Sequence, residues 1–235
     1  MPIFYSKAVG ELKTKAAQHS VKALQSAGLQ PDFVVCRSEI PLNDNIKHKI
    51  SLFCNVKPSH VISSPDLPSI YSLPLEFEQQ RLGDLLGEEM DLKTRLVEVN
   101  HYADWKTIAD LYEAEYDKKV IIGMPGKYVD NKDSYISINE ALKHACAHEK
   151  VNLEIQFIDT EEEIDEQVKR VDGILLTPGF GSRGVEGMIH SAELSMEYKI
   201  PFLGICFGSQ LFYVAFMRKI MGLQGANSTE IDPKT

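Results

Sequence analysis

From Lys119 onward, apolar and polar residues fall into a regular rhythm. Short apolar runs alternate with segments that place apolar side chains every three or four positions. "KVIIGMPG" reads as a strand and "SINEALKHACAHEK" as a helix; "NLEIQFID" as a strand and "TEEEIDEQVKRV" as a helix. "DGILLTPG" is a further strand, "VEGMIHSAELSMEYK" a helix, and "IPFLGIC" a strand. Thr160 and Glu163 have the spacing of a capping box. Strands alternating with helices predict an α/β fold with a parallel sheet covered on both faces. Ahead of Lys119 the pattern is looser. Phe33–Cys36 reads as a strand, "NDNIKHKISLF" as a helix, and "SIYSLPLEFEQQRLGDLLGEEMDL" as one exposed helix with loose ends. A helix over 104–119 has the look of a connector, its charges forming a solvated face. The pattern divides the chain into 1–90, a connecting stretch 91–118, and 119–235.

Composition changes this picture little. The chain has 235 residues, 43% hydrophobic, enough for a sizeable core. Its formal net charge of -9 argues against nucleic-acid binding but leaves room for local basic sites. Cys36, Cys54, Cys146 and Cys206 are scattered, with no CxxC pair to suggest zinc or a redox motif. That distribution reads as reduced thiols and a cytoplasmic setting. "MPIFYSKAVGELKTK" has no apolar core of a signal peptide. No apolar run approaches the ~18 residues of a membrane span, so no membrane partner is expected.

The candidate chemistry lies where two strands end. "GICFG", Gly204–Gly208, has the form glycine–x–nucleophile–x–glycine, in which a buried strand stops in a sharp turn and a helix starts at once. The glycines suit a turn that a side chain would obstruct. A thiol there meets the positive end of a helix, which favours thiolate, and the following N–H groups face whatever the sulfur attacks. The same spacing also fits a small buried core thiol. "TPGFGSRG" closes the preceding strand, and the carboxyl ends of parallel strands are where ligands bind. Two glycine-rich turns at such ends make one convergent site.

"PGFGSRGVEG", "IPFLGICFGSQ" and "GANSTEIDP", in that order, resemble the glutaminase domain of the CTP synthase family. "GKYVDNKDSYISINEALKHA" is similar to that domain's opening. "GELKTKAAQHSVKALQSAGLQPDFVVCRS" and "KISLFCNV" followed by "SIYSLPL" resemble the end of the family's amidoligase domain. The resemblance covers nearly the whole chain. It implies a class I glutamine amidotransferase-like domain preceded by the C-terminal part of a P-loop-type α/β amidoligase domain. The implied reaction hydrolyses glutamine through a cysteinyl thioester. ATP phosphorylates UTP, and the released ammonia displaces the phosphate to give CTP. Cys206 is then the nucleophile, and the N–H groups of Gly179 and Phe207 hold the oxyanion. Gly179, Phe207, Gly208, Ser209, Gln210 and Glu230 surround the glutamine, with the Glu230 carboxylate suited to its ammonium group. Read alone, Gln210 is a helix-surface amide and Glu230 a loop acid. Lys13, Thr14, Lys15, Gln18 and Lys49 match the family's site for UTP, or for CTP as feedback inhibitor; read alone, "KTK" is a solvated basic turn. Pro65, Asp66 and Leu67 match positions along the ATP. Arg183, with Gly184 and Glu186, matches a segment associated with activation by GTP. The family works as a homotetramer with magnesium.

The chain departs from the family pattern in several places. Ala16-Ala17 stand where the family has Pro-Thr, and Pro178 takes a glycine position at the oxyanion turn, so a donor there falls to Gly179. Phe207 and Ser209 replace Leu and Met beside the nucleophile. The family's P-loop and magnesium-binding acids have no counterpart here, and this chain supplies no metal ligand. The family's catalytic histidine and its orienting glutamate follow the position of Glu230, whereas all seven histidines here precede Cys206. The expectation is a piece of CTP synthase that does not turn over by itself, since the leaving amine needs a proton and the thioester an activated water. Two other readings stay open: a different class I cysteine amidohydrolase with a histidine supplied from elsewhere, and a non-catalytic module that joins or caps the family's assemblies.

Overall fold

The computed structural model describes residues 1–92, 102–126, 132–179 and 183–235. Part of "GKYVDNKDSY", the core of "GFGS" and part of the 91–118 stretch lie outside these residues. Contacts divide the chain into two units, Met1–Glu113 and Ala114–Thr235.

The first unit opens with strands β1 (Phe4–Ser6) and β2 (Glu11–Lys13), an antiparallel hairpin turned by Gly10 at φ +68. Helix α1 (Lys15–Ser26), strand β3 (Val34–Ser38), helix α2 (Asp44–Cys54) and strand β4 (Val61–Pro65) follow. β3 and β4 pair in parallel from Val34↔Val61 to Ser38↔Pro65, so β3-α2-β4 is a crossover unit. Along β3, Val34, Cys36 and Ser38 are buried while Val35 and Arg37 face out, the period-two signature of a half-covered strand. Ile3, Ala17, Val21, Ile50, Cys54 and Val61 complete this core. α2 starts cleanly because Asn43 Oδ1 accepts from the Ile46 N–H at 3.0 Å.

The single helix expected over 69–92 is broken. A 3-10 turn at Ile70–Ser72 leads into α3 (Leu73–Gln79), and α4 (Leu82–Glu89) is separate. The break has a physical cause at Gln80. Its side-chain amide accepts from the Ser63 N–H and donates to the Ser63 carbonyl, both at 2.8 Å, and accepts from Lys47 Nζ at 2.9 Å. Gln80 thus grips the edge of β4 like a neighbouring strand, and Arg81 takes a left-handed conformation at φ 56 to restart the chain. Helix α5 (Tyr102–Glu113) belongs to this unit: Trp105 Nε1 donates to the Tyr71 carbonyl at 2.8 Å, and Tyr112 stacks on Tyr71 at 4.2 Å.

The second unit runs β5 (Lys119–Gly126), α6 (Ile136–Glu149), β6 (Asn152–Asp159), α7 (Asp165–Val168), β7 (Gly173–Leu176), α8 (Val185–Tyr198), β8 (Phe202–Gly204) and α9 (Phe207–Lys219). The strands form a parallel sheet in the order β6-β5-β7-β8, as the alternating pattern predicts. All four residues of β7 are buried because both faces are covered. One face carries Met124, Tyr135 and Leu175; α8 and α9 pack through Val185, Met188, Ile189, Leu211 and Ala215.

The helix expected from Thr160 is the main departure here: α7 spans only four residues, after Ile164. No capping box forms. Thr160 is buried, its Oγ1 has no hydrogen-bond partner among the described residues, and its carbonyl packs against Gly187, where an added Cβ would lie 2.1 Å from that oxygen. Tertiary contact with α8 therefore overrides the local capping preference.

Candidate active site

β8 ends at Gly204, and the Ile205 N–H donates to the Leu176 carbonyl of β7 at 3.0 Å. Cys206 then adopts φ 54, ψ -112, and α9 begins with the next residue. That conformation costs an L-residue on the order of 1–3 kcal/mol and persists only where the surroundings enforce it. The two glycines supply the enforcement. A Cβ on Gly204 would lie 2.6 Å from the Ser209 nitrogen, and one on Gly208 would lie 2.3 Å from the Leu176 oxygen. Helix, turn and neighbouring strand approach at glycine-only distances, and the residue left pointing outward is the cysteine.

Cys206 alone of the four cysteines is exposed. Burial raises the other three thiols, Cys36 to about 11 and Cys54 and Cys146 less. Ser209 Oγ donates to the Cys206 carbonyl at 2.7 Å, and the Ser209 and Gln210 N–H groups reach the same oxygen at 3.0 and 3.3 Å. These bonds tie the first turn of α9 to the strained residue.

Gly179 follows β7 by three residues, and Leu176 of β7 is in register with Gly204 of β8. The Gly179 turn and the Cys206 thiol therefore leave adjacent strands, which lie roughly 4.8 Å apart in a sheet. Among the described residues, the N–H groups of Gly179 and Phe207 donate to no carbonyl or side chain. No atom of the described residues lies within 4 Å of a Cβ built on Gly179. Phe180–Ser182, the continuation of this turn, lie outside the described residues.

Gln210 and Glu230, distant in sequence, are brought together. Ser228 Oγ donates to Gln210 Oε1 at 3.5 Å and accepts from the Glu230 N–H at 3.3 Å. The returning segment is anchored on α9: Arg218 Nε donates to the Ala226 carbonyl at 2.8 Å, and its Nη1 pairs with Glu186 at 2.7 Å. Ile231 packs against the α8–α9 core. Ser228 and Arg218 were not singled out by sequence; "NSTEID" held the only signal for Ser228. Arg183 pairs with Glu161, Nε to Oε1 at 2.8 Å, and this bond holds the Glu161 carboxyl below its ordinary range.

No histidine among the described residues is hydrogen-bonded to Cys206. His190, which lies between the two glycine turns in sequence, places Nε2 2.8 Å from Asp165 and Nδ1 3.5 Å from Glu193.

In the first unit, Lys13 pairs with Glu11 at 3.0 Å, and the Glu11 carboxyl is held low first by that hydrogen bond, then by the Lys13 charge and, less, by Lys49. Lys13 thus holds the Glu11 carboxylate directly, while Lys49 acts on it only through its charge. Lys15 is the exposed first residue of α1. Thr14 is buried and accepts from Gln18 Nε2 at 2.9 Å, so it does not cap the helix, and the first N–H groups of α1 are left for another acceptor. Pro65 closes β4; the Asp66 N–H donates to the Ser38 carbonyl at 2.8 Å, and its carboxylate meets Arg37 at 3.1 Å. Leu67 is half-buried beside it. Pro65 to Leu67 thus sit at the carboxyl end of the β3–β4 pair, the ligand-binding end of such sheets. A cavity of about 590 Å³, lined by Asp44, Lys47, His48, Gln80 and Arg81, involves none of the residues singled out by sequence. Among the described residues, no three His, Cys, Asp or Glu side chains gather as a metal site, and no helix is long and apolar enough to cross a membrane.

A family model described as CTP synthase N-terminus matches residues 1–92, and one described as glutamine amidotransferase class-I matches residues 130–232. The chain is 44% identical over 235 residues to a CTP synthase of Listeria innocua, covering 98% of this chain and 43% of that one. It is 42% identical over 234 residues to a CTP synthase of Methanothermobacter thermautotrophicus, covering 98% and 43%. The chain thus spans less than half the length of these curated relatives. The glutaminase domain of Trypanosoma brucei CTPS with bound acivicin is 31% identical, covers 49% of this chain and 47% of that one, and superposes with a TM-score of 0.47.

Proposed function

Because this chain belongs to the CTP synthase family, matching it over nearly its whole length, we propose that it carries the nucleophile half of a glutaminase site and part of a nucleotide site. The observation that carries this reading is the backbone of Cys206, held at φ 54 between two glycines that admit no side chain. The thiolate attacks the side-chain carbonyl carbon of glutamine, and the C–S bond forms as the carbonyl electrons move onto oxygen. The N–H groups of Gly179 and Phe207 donate hydrogen bonds to that oxygen. The tetrahedral intermediate collapses, the C–N bond breaks, and ammonia leaves once its nitrogen is protonated. Water then cleaves the thioester to glutamate. Glu230 holds the substrate ammonium, Gln210 contacts another part of the glutamine through its amide, and Gly208 and Ser209 shape the turn beneath it.

In the whole enzyme the ammonia passes to the amidoligase half. There ATP activates UTP and ammonia displaces the phosphate to give CTP. Lys13, Thr14, Lys15, Gln18 and Lys49 take the UTP or inhibitory CTP, and Pro65, Asp66 and Leu67 lie along the ATP. Magnesium, when bound, neutralises the phosphate charge during transfer; its ligands are not among the residues assigned here. GTP activation acts through Arg183, which must then exchange Glu161 for the ligand. The whole enzyme is a cytoplasmic homotetramer in this reading.

Residues 1–235 alone are expected to show negligible glutaminase turnover and no CTP synthesis. Acid–base catalysis is worth ~10²–10⁴-fold, and the described histidines leave Cys206 without a base. Calorimetry with CTP on wild type, Lys15→Ala and Glu230→Ala tests the separation of sites. Weak, salt-sensitive CTP binding should fall further in Lys15→Ala and stay unchanged in Glu230→Ala. Equal loss in both variants would refute the assignment of separate nucleotide and glutamine sites.

A further inference from the structure

We infer that Ser228 is a positioning residue that fixes the orientation of the Gln210 amide, so that Gln210 presents its N–H groups to the ligand's carboxylate. The inference rests on the glutamine-site reading above and adds a division of labour to it. A serine hydroxyl has one proton to donate and two lone pairs to accept with. The Glu230 N–H, 3.3 Å away, can only donate, so it takes a lone pair of Ser228 Oγ. The hydroxyl proton needs an acceptor, and Gln210 Oε1, 3.5 Å away, is the one the structure places there. Turning the amide over would put an N–H where that acceptor stands and leave the hydroxyl proton without a partner among the described residues. With Oε1 turned to Ser228, the Gln210 NH₂ group is the part left for a ligand, and it can only donate.

Gln210 and Glu230 then differ in kind. Gln210 offers donors, which fit a carboxylate; Glu230 offers acceptors, which fit an ammonium group. The site selects an α-amino acid and fixes which way round it lies. Ser228 is itself held by the struts already described, the Arg218 bond to the Ala226 carbonyl at 2.8 Å and the Ile231 contact with the core. The Ser228 N–H also donates to Asn227 Oδ1 at 2.9 Å, and the Ser228 carbonyl accepts from Ile231 and Asp232, both at 2.9 Å. Replacing the hydroxyl leaves these backbone bonds in place.

The test uses alkylation of Cys206 by a glutamine-shaped chloroketone in two forms, one with a free α-carboxylate and one as its methyl ester. The thiolate displaces chloride: a C–S bond forms, the C–Cl bond breaks, chloride leaves with the electron pair, and the thiol proton goes to solvent. Rates against reagent concentration separate the binding constant KI from the limiting rate kinact. In Ser228→Ala, KI for the carboxylate reagent should rise roughly 3- to 10-fold, the scale of one hydrogen bond. KI for the ester and both kinact values should not move. Ser228→Thr, which keeps the hydroxyl, should restore KI. In a Gln210→Ala background, Ser228→Ala should add nothing, since it acts through that amide. A general disturbance of the fold would instead shift kinact, both reagents and the background labelling of Cys146. An unchanged carboxylate KI in Ser228→Ala, or equal losses for carboxylate and ester, overturns the inference while leaving the glutamine site standing. Labelling of wild type that never saturates overturns both.

Discussion

Gly208→Ala probes the structural premise of the site directly. The added methyl would sit 2.3 Å from the Leu176 oxygen and 2.7 Å from the Leu176 carbon, where ordinary contacts begin near 3.4 Å. Both obstacles are backbone atoms of β7, so no side chain can swing aside. α9 must retreat by about an ångström, and overpacking of this kind costs ~1–3 kcal/mol. The Leu176 oxygen also accepts from the Ile205 N–H at 3.0 Å, and loosening that bond adds ~0.5–1.5 kcal/mol. Alanine's helix preference returns at most ~1 kcal/mol. The net expectation is a loss of ~0.5–4.5 kcal/mol and a slower alkylation of Cys206, whose φ depends on the same approach. Gly83→Ala is the control: it lies within α4, an added Cβ meets nothing within 4 Å, and it should leave stability equal or slightly higher. Urea midpoints and Cys206 labelling rates read the outcome. A Gly208→Ala protein matching wild type in both would show that the glycine-enforced turn is not what holds the thiol.

Three further outcomes follow from other residues. Cys36 is fully buried and its thiol is pushed to about 11 from an ordinary 9.0, so between those values the unfolded chain gives up a proton that the folded one keeps. Stability should therefore fall as pH rises through that window, by roughly 3 kcal/mol in all; urea melts of Cys36→Ala should show a shallower slope, and an identical slope would contradict the assignment. His190→Gln should leave the alkylation rate of Cys206 unchanged, because both ring nitrogens face Asp165 and Glu193; a tenfold slowing would mark His190 as the missing base. Arg218→Ala removes the strut to Ala226 and Glu186, so hydrogen exchange should quicken over residues 222–232 with little change in β5–β8, and equal protection would show that the segment is held otherwise.

Much of the second unit could be read from the chain because a parallel sheet covered on both faces demands continuous apolar runs, as in "GILL" and "KVIIGMPG". The turn at Cys206 was legible for a related reason: sterics restrict Gly204 and Gly208 to glycine, so the constraint is written in the sequence itself. Long-range side-chain bonds are not written there. Gln80 breaks the expected 69–92 helix by binding Ser63, seventeen residues away, and no local pattern signals that partner. Thr160 carries a capping-box spacing, yet its burial against Gly187 decides its conformation. Gln210 and Glu230 were assigned through family resemblance alone; that Ser228 links them depends on the return of the chain after α9, which spacing does not disclose.

The central claim is that Cys206 is a formed nucleophile in a pocket that recognises glutamine. Mass mapping of the four cysteines after brief exposure to a glutamine-shaped chloroketone, with and without excess glutamine, tests it most directly. The exposed, turn-held Cys206 should label first, Cys146 slowly, and the buried Cys36 and Cys54 last. Glutamine should protect Cys206 and leave Cys146 unaffected. Even labelling of all four, or labelling of Cys206 that glutamine does not slow, would contradict the account.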